Sequence, residues 1–324
     1  EPGQWTPAPW INVIANPDFG FTVSETGAGT TWAGNSSENR LTPWSNDPVG
    51  DPPGEALYLR DEETAAVWSP TPLPCRAPAP YLIRHGAGYS SFEHHSHGLA
   101  QRLRLFVAPD APVKVVHLRL ENLWARPRRI TATFYAEWVL GVTRDGAQQH
   151  VVSEYDSDHQ AILARNSYNA EFGERVAFVA ASQSLHGLTA DRTEFLGRLG
   201  TLCRPAALDR IGLAHAIAPG LDPCAALQLH VDLQPGEAQE VFFLIGEGAN
   251  REDALQWIER YQAAEEIAAA WEQVKTRWDT LLETVQVQTP DPALDLLLNR
   301  WLLYQTLACR VWARAAFYQS SGAF

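Results

Sequence analysis

Apolar and polar residues alternate with one period in the first part of the chain and with another in the last. Up to about residue 250, alternating segments such as 113–120 and 129–138 are separated by turns. A two-residue period is typical of strands with one buried face, and both segments are rich in the β-branched and aromatic residues that favour sheets. Two further runs, 228–233 and 240–246, flank a Pro-Gly turn. The pattern predicts a mainly β fold, with one large antiparallel β-sandwich over residues 1–250.

Beyond residue 250 the spacing of apolar residues becomes helical. Asn250 is the predicted N-cap, because two acidic residues follow it in the first turn of an apolar-periodic segment. Amphipathic helices are predicted over 251–262 and 265–283, and Pro290 and Pro292 then break the pattern. A third helix, 293–316, is apolar around most of its circumference. We therefore expect a sandwich at 1–250, a helical linker at 251–288, and at 289–324 the first helix of a second domain whose other helices lie beyond residue 324.

Composition and charge exclude several classes of protein. The net charge of −13 argues against a nucleic-acid partner, whose phosphates need a basic face. No apolar run approaches the roughly 18 residues of a membrane helix, so no transmembrane segment is predicted. The chain opens without an initiator Met and ends at Phe324, and both ends are expected to be cuts through a longer protein. The four cysteines are widely spaced, which predicts reduced thiols and leaves one disulfide open.

Candidate chemistry is concentrated in two segments of the first 100 residues. The first, 16–48, is rich in Gly, Asn and Trp and contains Arg40 and Trp44. An aromatic ring beside fixed hydrogen-bond partners is typical of sugar sites, although turns capped by polar residues around a core Trp would give the same pattern. The second, 84–97, ends in three histidines, and His95 and His97 would share a strand face suited to zinc. Because only Glu93 is near them, a polar loop is favoured and no metal site is predicted.

Taken together, these segments resemble glycoside hydrolase family 94, formerly glycosyltransferase family 36, and especially its branch in cyclic β-1,2-glucan synthases. The resemblance covers the whole chain and is carried by 16–21 (Asn-Pro-Asp-Phe-Gly-Phe), 38–48, 57–62, 68–72, 84–89 (Arg-His-Gly-Ala-Gly-Tyr) and 295–305. It implies an N-terminal β-sandwich (supersandwich), a helical linker and an (α/α)6 catalytic barrel that would begin at 289–324. The implied reaction is inverting phosphorolysis of a β-glucosidic bond, with an Asp of the barrel as general acid and inorganic phosphate as co-substrate. No metal or organic cofactor is implied.

The chain ends before the family's reaction centre. A family motif of the form Gly-Ala-Phe-Gly-Phe-Arg-Asp-Gln opens the barrel, and this chain stops at Gly-Ala-Phe324. We therefore assign no catalytic residue and expect no phosphorolysis from these residues alone. The leading hypothesis is a part of an enzyme that shapes the rim of a β-glucan site and aids formation of a homodimer. The alternatives are a non-catalytic carbohydrate-binding module and a purely structural sandwich. The resemblance further implies a cytoplasmic location, at the inner membrane through the rest of the parent protein.

The predicted rim of the sugar site combines two sandwich segments with the end of the third helix. Arginine can hydrogen-bond several hydroxyls, aromatic rings can cover an apolar sugar face, and Gly86 and Gly88 would allow close backbone approach. The alternative is that the arginines pair with acids such as Glu38 or Glu93 and only hold loops together. The predicted substrate-binding residues are Arg40, Trp44, Arg84, His85, Tyr89, Tyr318 and Gln319.

Overall fold

The computed structural model describes residues 5–313, and its strands form three antiparallel sheets. The three-stranded sheet consists of β1 (Ile11–Ala15), β2 (Phe19–Ser24) and β3 (Gly29–Ala33). The five-stranded sheet consists of β4 (Glu55–Asp61), β5 (Val67–Trp68), β10 (Arg128–Glu137), β14 (Gly187–Asp191) and β15 (Pro223–Leu233). The eight-stranded sheet consists of β6 (Tyr81–Gly86), β7 (Tyr89–Ser96), β8 (Leu99–Val107), β9 (Val113–Asn122), β11 (Val151–Asp156), β12 (Ala161–Asn166), β13 (Val176–Ala181) and β16 (Ala238–Gly248).

The two larger sheets enclose the main core. Their spatial orders are β14-β15-β10-β4-β5 and β11-β12-β13-β16-β9-β8-β7-β6, so β6 is an edge strand. Alternate side chains of both sheets meet between them, and Phe134 of one sheet stacks on Phe243 of the other with ring centroids 5.5 Å apart. The predicted mainly β, antiparallel fold is confirmed. The separate sheet β1–β3 was not anticipated, because alternation reveals a strand but not the sheet that it joins.

Two long helices cover the outer face of the eight-stranded sheet. They are α3 (Arg251–Gln262) and α4 (Ala264–Leu282), which follow the shorter α1 (Arg144–Ala147) and α2 (Arg192–Leu196) and a 3-10 turn at Ala206–Asp209. Asn250 caps α3, since its side-chain oxygen accepts a hydrogen bond from the Asp253 amide at 3.0 Å. Ile258, Val274 and Trp278 pack in a second core with residues of β8, β9 and β16. The sheet is therefore buried on both faces where these helices lie.

The C-terminal helix, 292–312, packs on the sandwich by one face only. It runs through Pro292–Leu296, Leu297–Trp301, Leu302–Gln305 and Thr306–Trp312, with wider π-type turns in the second and fourth of these segments. Tyr304 and Ala308 are fully buried against the sandwich. The helix also exposes a group of large apolar side chains around much of its circumference: Leu294, Leu296, Leu297, Leu298, Leu302, Leu303 and Val311. That further helices cover these side chains stays a prediction.

Candidate functional site

The tip of the β6–β7 hairpin lies against helix α4. Gly88 has φ +81°, and a Cβ there would lie 2.3 Å from Trp278 Nε1. At Gly86 a Cβ would lie 2.4 Å from the Tyr89 ring. Both glycines therefore allow close approach, as their position in the sequence predicts, but the groups that approach belong to the protein itself.

Asn12 joins three parts of the molecule at this tip. Its side-chain amide is fully buried and donates to the carbonyl oxygens of Gly86 (2.9 Å) and Tyr89 (2.8 Å). Its Oδ1 lies 2.8 Å from the hydroxyl of Tyr304, which is also 2.8 Å from the Val13 carbonyl oxygen. The Asn12 side chain thus connects strand β1 through hydrogen bonds to both the hairpin and the C-terminal helix. Asn12 is not among the predicted site residues, although an Asn within the apolar run Ile-Asn-Val-Ile-Ala is a signal of a buried polar role.

His85 and Tyr89 are half-buried on the hairpin. His85 Nδ1 is 2.8 Å from Ser90 Oγ, and burial lowers the pKa of the imidazole to about 4 against an opposing effect of the Trp10 backbone. The ring is therefore neutral at neutral pH, with one nitrogen as donor and one as acceptor. Tyr89 meets Trp271 edge to face, with ring centroids 5.0 Å apart.

A cleft of about 510 Å³ opens beside this hairpin. We call it the hairpin cleft; its walls come from the hairpin, α4 and the C-terminal helix, and include His85, Tyr89, Trp278, Arg300 and Trp301. Arg300 Nη2 pairs with Asp279 Oδ1 at 2.8 Å at its edge. Aromatic rings beside a few charged groups form the kind of surface that binds sugars.

The two predicted arginines are engaged in different ways. Arg84 Nη1 lies 2.8 Å from Glu93 Oε1, which also faces Arg102 Nε at 3.5 Å, so the pairing with Glu93 that the sequence offers as an alternative is present. The Arg84 side chain is still 52% exposed. Arg40 is buried and donates to the carbonyl oxygens of Val142 (2.8 Å) and Ser36 (3.2 Å).

Trp44 lies beside Arg40. The Arg40 guanidinium carbon is 5.5 Å from the centre of the half-buried Trp44 ring. Burial lowers the pKa of Arg40, and the nearby charge of Glu38 opposes that shift. The Arg40 side chain is thus held by hydrogen bonds to backbone oxygens, and its guanidinium group lies over the Trp44 ring.

The C-terminal end of the described chain contacts both parts of the sandwich in which the sugar site is predicted. Tyr304 meets the hairpin through Asn12, and the carbonyl oxygen of Ala313 accepts a hydrogen bond from Ser36 Oγ at 2.6 Å. Tyr304 and Ala313 are nine positions apart, which corresponds to a rise of about 13 Å in a helix. The hairpin and the Arg40 loop therefore lie along one side of the sandwich. Tyr318 and Gln319 lie outside the described residues, and the assignment of the whole set to a sugar site stays a prediction.

A buried carboxylate that no sequence motif indicates, Glu247, contacts the residue before Arg40. Both oxygens of Glu247 are 3.0 Å from Asn39 Nδ2, and Oε2 is 3.0 Å from Arg175 Nη1. Burial raises the pKa of Glu247 to about 7, although both partners oppose the shift. Nothing in the local sequence marks this Glu at the end of β16, because its partners come from distant loops.

Two of the three histidines at the end of the second segment, His94 and His97, stack on aromatic rings, whereas His95 is exposed. His94 stacks on Tyr81 with ring centroids 3.8 Å apart, and His97 stacks on Trp68 at 4.0 Å. His97 also lies in the turn after β7, with φ +52°, so it does not continue the strand face of His95. Within residues 5–313, no group of three His, Cys, Asp or Glu residues could hold a metal ion.

The structure also bears on the predictions of reduced cysteines and of no transmembrane segment. All four cysteines are free thiols, and burial raises the pKa of Cys75 to about 12 and that of Cys309 to about 11. In the same part of the chain, no helix combines the length and apolarity needed to cross a membrane.

Comparison with known proteins places this architecture among carbohydrate-active enzymes. The chain is 39% identical to the cyclic beta-(1,2)-glucan synthase NdvB of Rhizobium meliloti (strain 1021), over 99% of this chain and 11% of the relative. It is 28% identical to the N,N'-diacetylchitobiose phosphorylase of Vibrio furnissii (98% of this chain, 40% of the relative) and 27% identical to the solabiose phosphorylase of Paenibacillus borealis (97% and 42%). The chain thus spans less than half the length of each of these relatives.

A solved structure and the family models extend the comparison. A bacterial glucoamylase complexed with acarbose shares the fold with a TM-score of 0.53 at 6% identity, over 86% of this chain and 38% of that one. At this identity the likeness shows the fold alone. Residues 1–264 match the glycosyl hydrolase 94 supersandwich domain, and residues 277–324 match the catalytic domain of the glycosyl hydrolase 94 superfamily. The chain belongs to glycoside hydrolase family 94.

Proposed function

We propose that the chain is the N-terminal part of an inverting β-glucan phosphorylase module, of the kind found in cyclic β-1,2-glucan synthases. Residues 1–250 would be its glucan-associated sandwich, 251–288 its linker, and 289–324 the first helix of its (α/α)6 catalytic barrel. The observation that carries this proposal is the C-terminal helix, which is fixed to the sandwich by Tyr304 and presents leucines outward. The identity with the cyclic glucan synthase over 99% of the chain supports β-1,2-glucan as the substrate.

In the complete module, inorganic phosphate attacks the anomeric carbon of a β-linked glucose from the α face. The bond between that carbon and the glycosidic oxygen breaks, an Asp of the barrel protonates the leaving oxygen, and α-glucose 1-phosphate is released. Phosphate takes the place of the water that an inverting hydrolase would activate. The reaction needs no metal or organic cofactor, and the chain contributes no catalytic residue to it.

The sandwich supplies the rim of the sugar site in this proposal. Arg84 and His85 would hydrogen-bond sugar hydroxyls; the half-exposed side chain of Arg84 and the position of His85 on the wall of the hairpin cleft support this. Tyr89 would cover a sugar face, and Tyr318 and Gln319 would continue the rim. Arg40 would act as a positioning residue for Trp44, because its own hydrogen bonds go to backbone oxygens.

The remaining assignments concern partners and location. We expect β-glucan oligosaccharides as ligands, the downstream barrel of the same protein as the intramolecular partner, and a homodimer as the assembly. The module would be cytoplasmic, at the inner membrane through the rest of the parent. The second candidate is a non-catalytic sandwich that binds carbohydrate or has only a structural role; it predicts that longer parent polypeptides also fail to consume phosphate.

The test compares this chain with a parent polypeptide that contains the whole barrel. Each is incubated with β-1,2-glucan with and without inorganic phosphate, and glucose 1-phosphate is measured. We expect phosphate-dependent product from the longer polypeptide alone. In it, Arg84→Ala should raise the KM for glucan, whereas Arg204→Ala, a side chain 83% exposed elsewhere on the sandwich, should not. Product from the short chain would overturn the assignment of catalysis to the barrel, and its absence from the longer polypeptide would overturn phosphorolysis.

A further inference from the structure

A second cleft, of about 580 Å³, lies along the edge strand β6. We call it the edge groove; it is bounded by the N-terminal segment 5–10 and by Glu25, Arg76, Tyr81 and Leu82. His85 borders both this groove and the hairpin cleft, so the two follow one another along the hairpin. Of the predicted sugar-site residues that lie within the described chain, His85 alone lines it.

Two tryptophan side chains that line this groove are largely exposed to solvent. Trp5 is 57% exposed and Trp10 is 66% exposed, although Trp is a residue that folding normally buries in large part. The segment that carries them is fixed to the sandwich rather than loose. The Glu25 carboxylate accepts hydrogen bonds from Thr6 Oγ1 and from the Trp10 amide, and the Glu25 amide donates to the Trp10 carbonyl at 2.8 Å. Pro9 between them is buried.

Charged groups lie against these rings. The Arg76 guanidinium lies over the Trp5 ring, with its carbon 4.4 Å from the ring centre and 6.0 Å from that of Tyr81. Glu25 is an acceptor beside the rings, because a carboxylate has lone pairs beyond the two hydrogen bonds that it already accepts. Flat apolar rings with donors and acceptors beside them complement a pyranose, which has apolar C–H faces and a rim of hydroxyls.

We propose that the edge groove is a second glucan-binding site, which holds a linear β-glucan chain at a distance from the reacting end. The inference rests on the proposed function for the class of ligand. Among the described lining residues, the groove combines one cation, Arg76, and one anion, Glu25, with aromatic faces, which suits a neutral polymer better than a phosphate-rich or strongly charged one. Its position next to the hairpin cleft would let a single long chain occupy both.

The experiment uses isothermal titration of the chain with linear β-1,2-gluco-oligosaccharides. We expect saturable binding by the wild type, and a Kd at least about tenfold higher for Trp5→Ala/Trp10→Ala. Trp124→Ala is the matched control, because Trp124 is 39% exposed and also lies under arginines, with Arg128 at 4.2 Å. Binding by the double variant as tight as that of the wild type would overturn the proposal, as would the absence of binding by folded wild type. If the double variant fails to fold, the single variant Trp10→Ala is measured against the same expectation.

A second measurement separates this inference from the proposed function. In the longer parent polypeptide, Trp5→Ala/Trp10→Ala should slow phosphorolysis of long β-1,2-glucan and leave that of a β-1,2-linked glucose disaccharide unchanged. If the double variant slows phosphorolysis of the long glucan and of the disaccharide equally, or slows neither, the edge groove is not a second glucan-binding site, although phosphorolysis itself is supported. If the parent binds glucan in the groove but catalyses no phosphorolysis, the proposed function is wrong and the binding site is retained. Protection of both tryptophans from acrylamide quenching in the ligand-free parent would show that another part of that protein covers them, and would also overturn the proposal.

Discussion

Removal of one oxygen atom from Tyr304 tests how the C-terminal helix is attached to the sandwich. The hydroxyl is fully buried and lies 2.8 Å from two acceptors, Asn12 Oδ1 and the Val13 carbonyl oxygen, which share its single hydrogen. Tyr304→Phe keeps the ring and removes this donor. A buried acceptor left without its donor costs about 1–3 kcal/mol. Because the contact joins the helix to β1, we expect the cost to appear first as local opening of the helix.

Hydrogen exchange followed by mass spectrometry measures this opening segment by segment. A local cost of about 1–3 kcal/mol would speed exchange of the helix 292–312 about 5- to 150-fold, with little change in the central strands. The matched control is Tyr58→Phe on the five-stranded sheet, which removes a hydroxyl 2.8 Å from the Leu202 carbonyl oxygen. It should leave the exchange of the helix unaltered. Unchanged exchange in Tyr304→Phe, or equal acceleration throughout the sandwich, would refute the anchoring role.

Three further predictions concern stability, each read from urea unfolding. Lys114→Met removes the ammonium group that lies 2.6 Å from Oε2 of the buried Glu55, so we expect the free energy of unfolding to fall by about 3–5 kcal/mol. Glu55→Leu in the double variant should recover part of this loss. A loss below about 1 kcal/mol in Lys114→Met would contradict the prediction. Burial raises the pKa of Glu247 from 4.5 to about 7, so the folded state holds a proton that the unfolded state releases between these values. The contribution of Glu247 to stability should therefore fall by about 3 kcal/mol as pH rises through this window, and the difference in unfolding free energy between the wild type and Glu247→Gln should change by that amount, because the titration of other groups such as His85 cancels in the difference; a difference that does not change with pH would contradict this. Gly88→Ala places a methyl group 2.3 Å from Trp278 Nε1 at φ +81° and should destabilise by more than about 1 kcal/mol, whereas Gly236→Ala, at φ +70° with open space around it, should show the cost of backbone strain alone.

Local sequence patterns predicted local structure well in this chain. The start of α3 follows from Asn250 and its acidic neighbours, because a cap and a helix dipole act within one turn. Strand β9 coincides with the alternation at 113–120, since one of its faces fills the core between the sheets. These features depend on residues a few positions apart.

The candidate site was less predictable because its contacts span the chain. The bond between Tyr304 and Asn12 joins residues 292 positions apart, and no periodicity encodes such a partner. The glycines of the hairpin indicated close approach correctly, but only the fold shows that Trp278 is the neighbour. For Arg84, the sequence left open a sugar ligand or an ion pair with Glu93, and the observed pair still leaves its side chain half exposed. The two tryptophans of the edge groove gave no signal beyond their residue type.

The C-terminal helix exposes leucines while it is attached to a β-domain that has its own core, and this has a consequence for folding during synthesis. In a longer protein of this family, the ribosome would complete the sandwich before the barrel, and domains generally fold as units in that order. Tyr304 would then dock on Asn12 and fix the rotation of the first barrel helix, on which Leu302 and Leu303 remain exposed. Later helices would meet an apolar surface already in place, which removes part of the entropy cost of nucleating a helical barrel. The sandwich would thus act as an intramolecular template for the barrel that follows it.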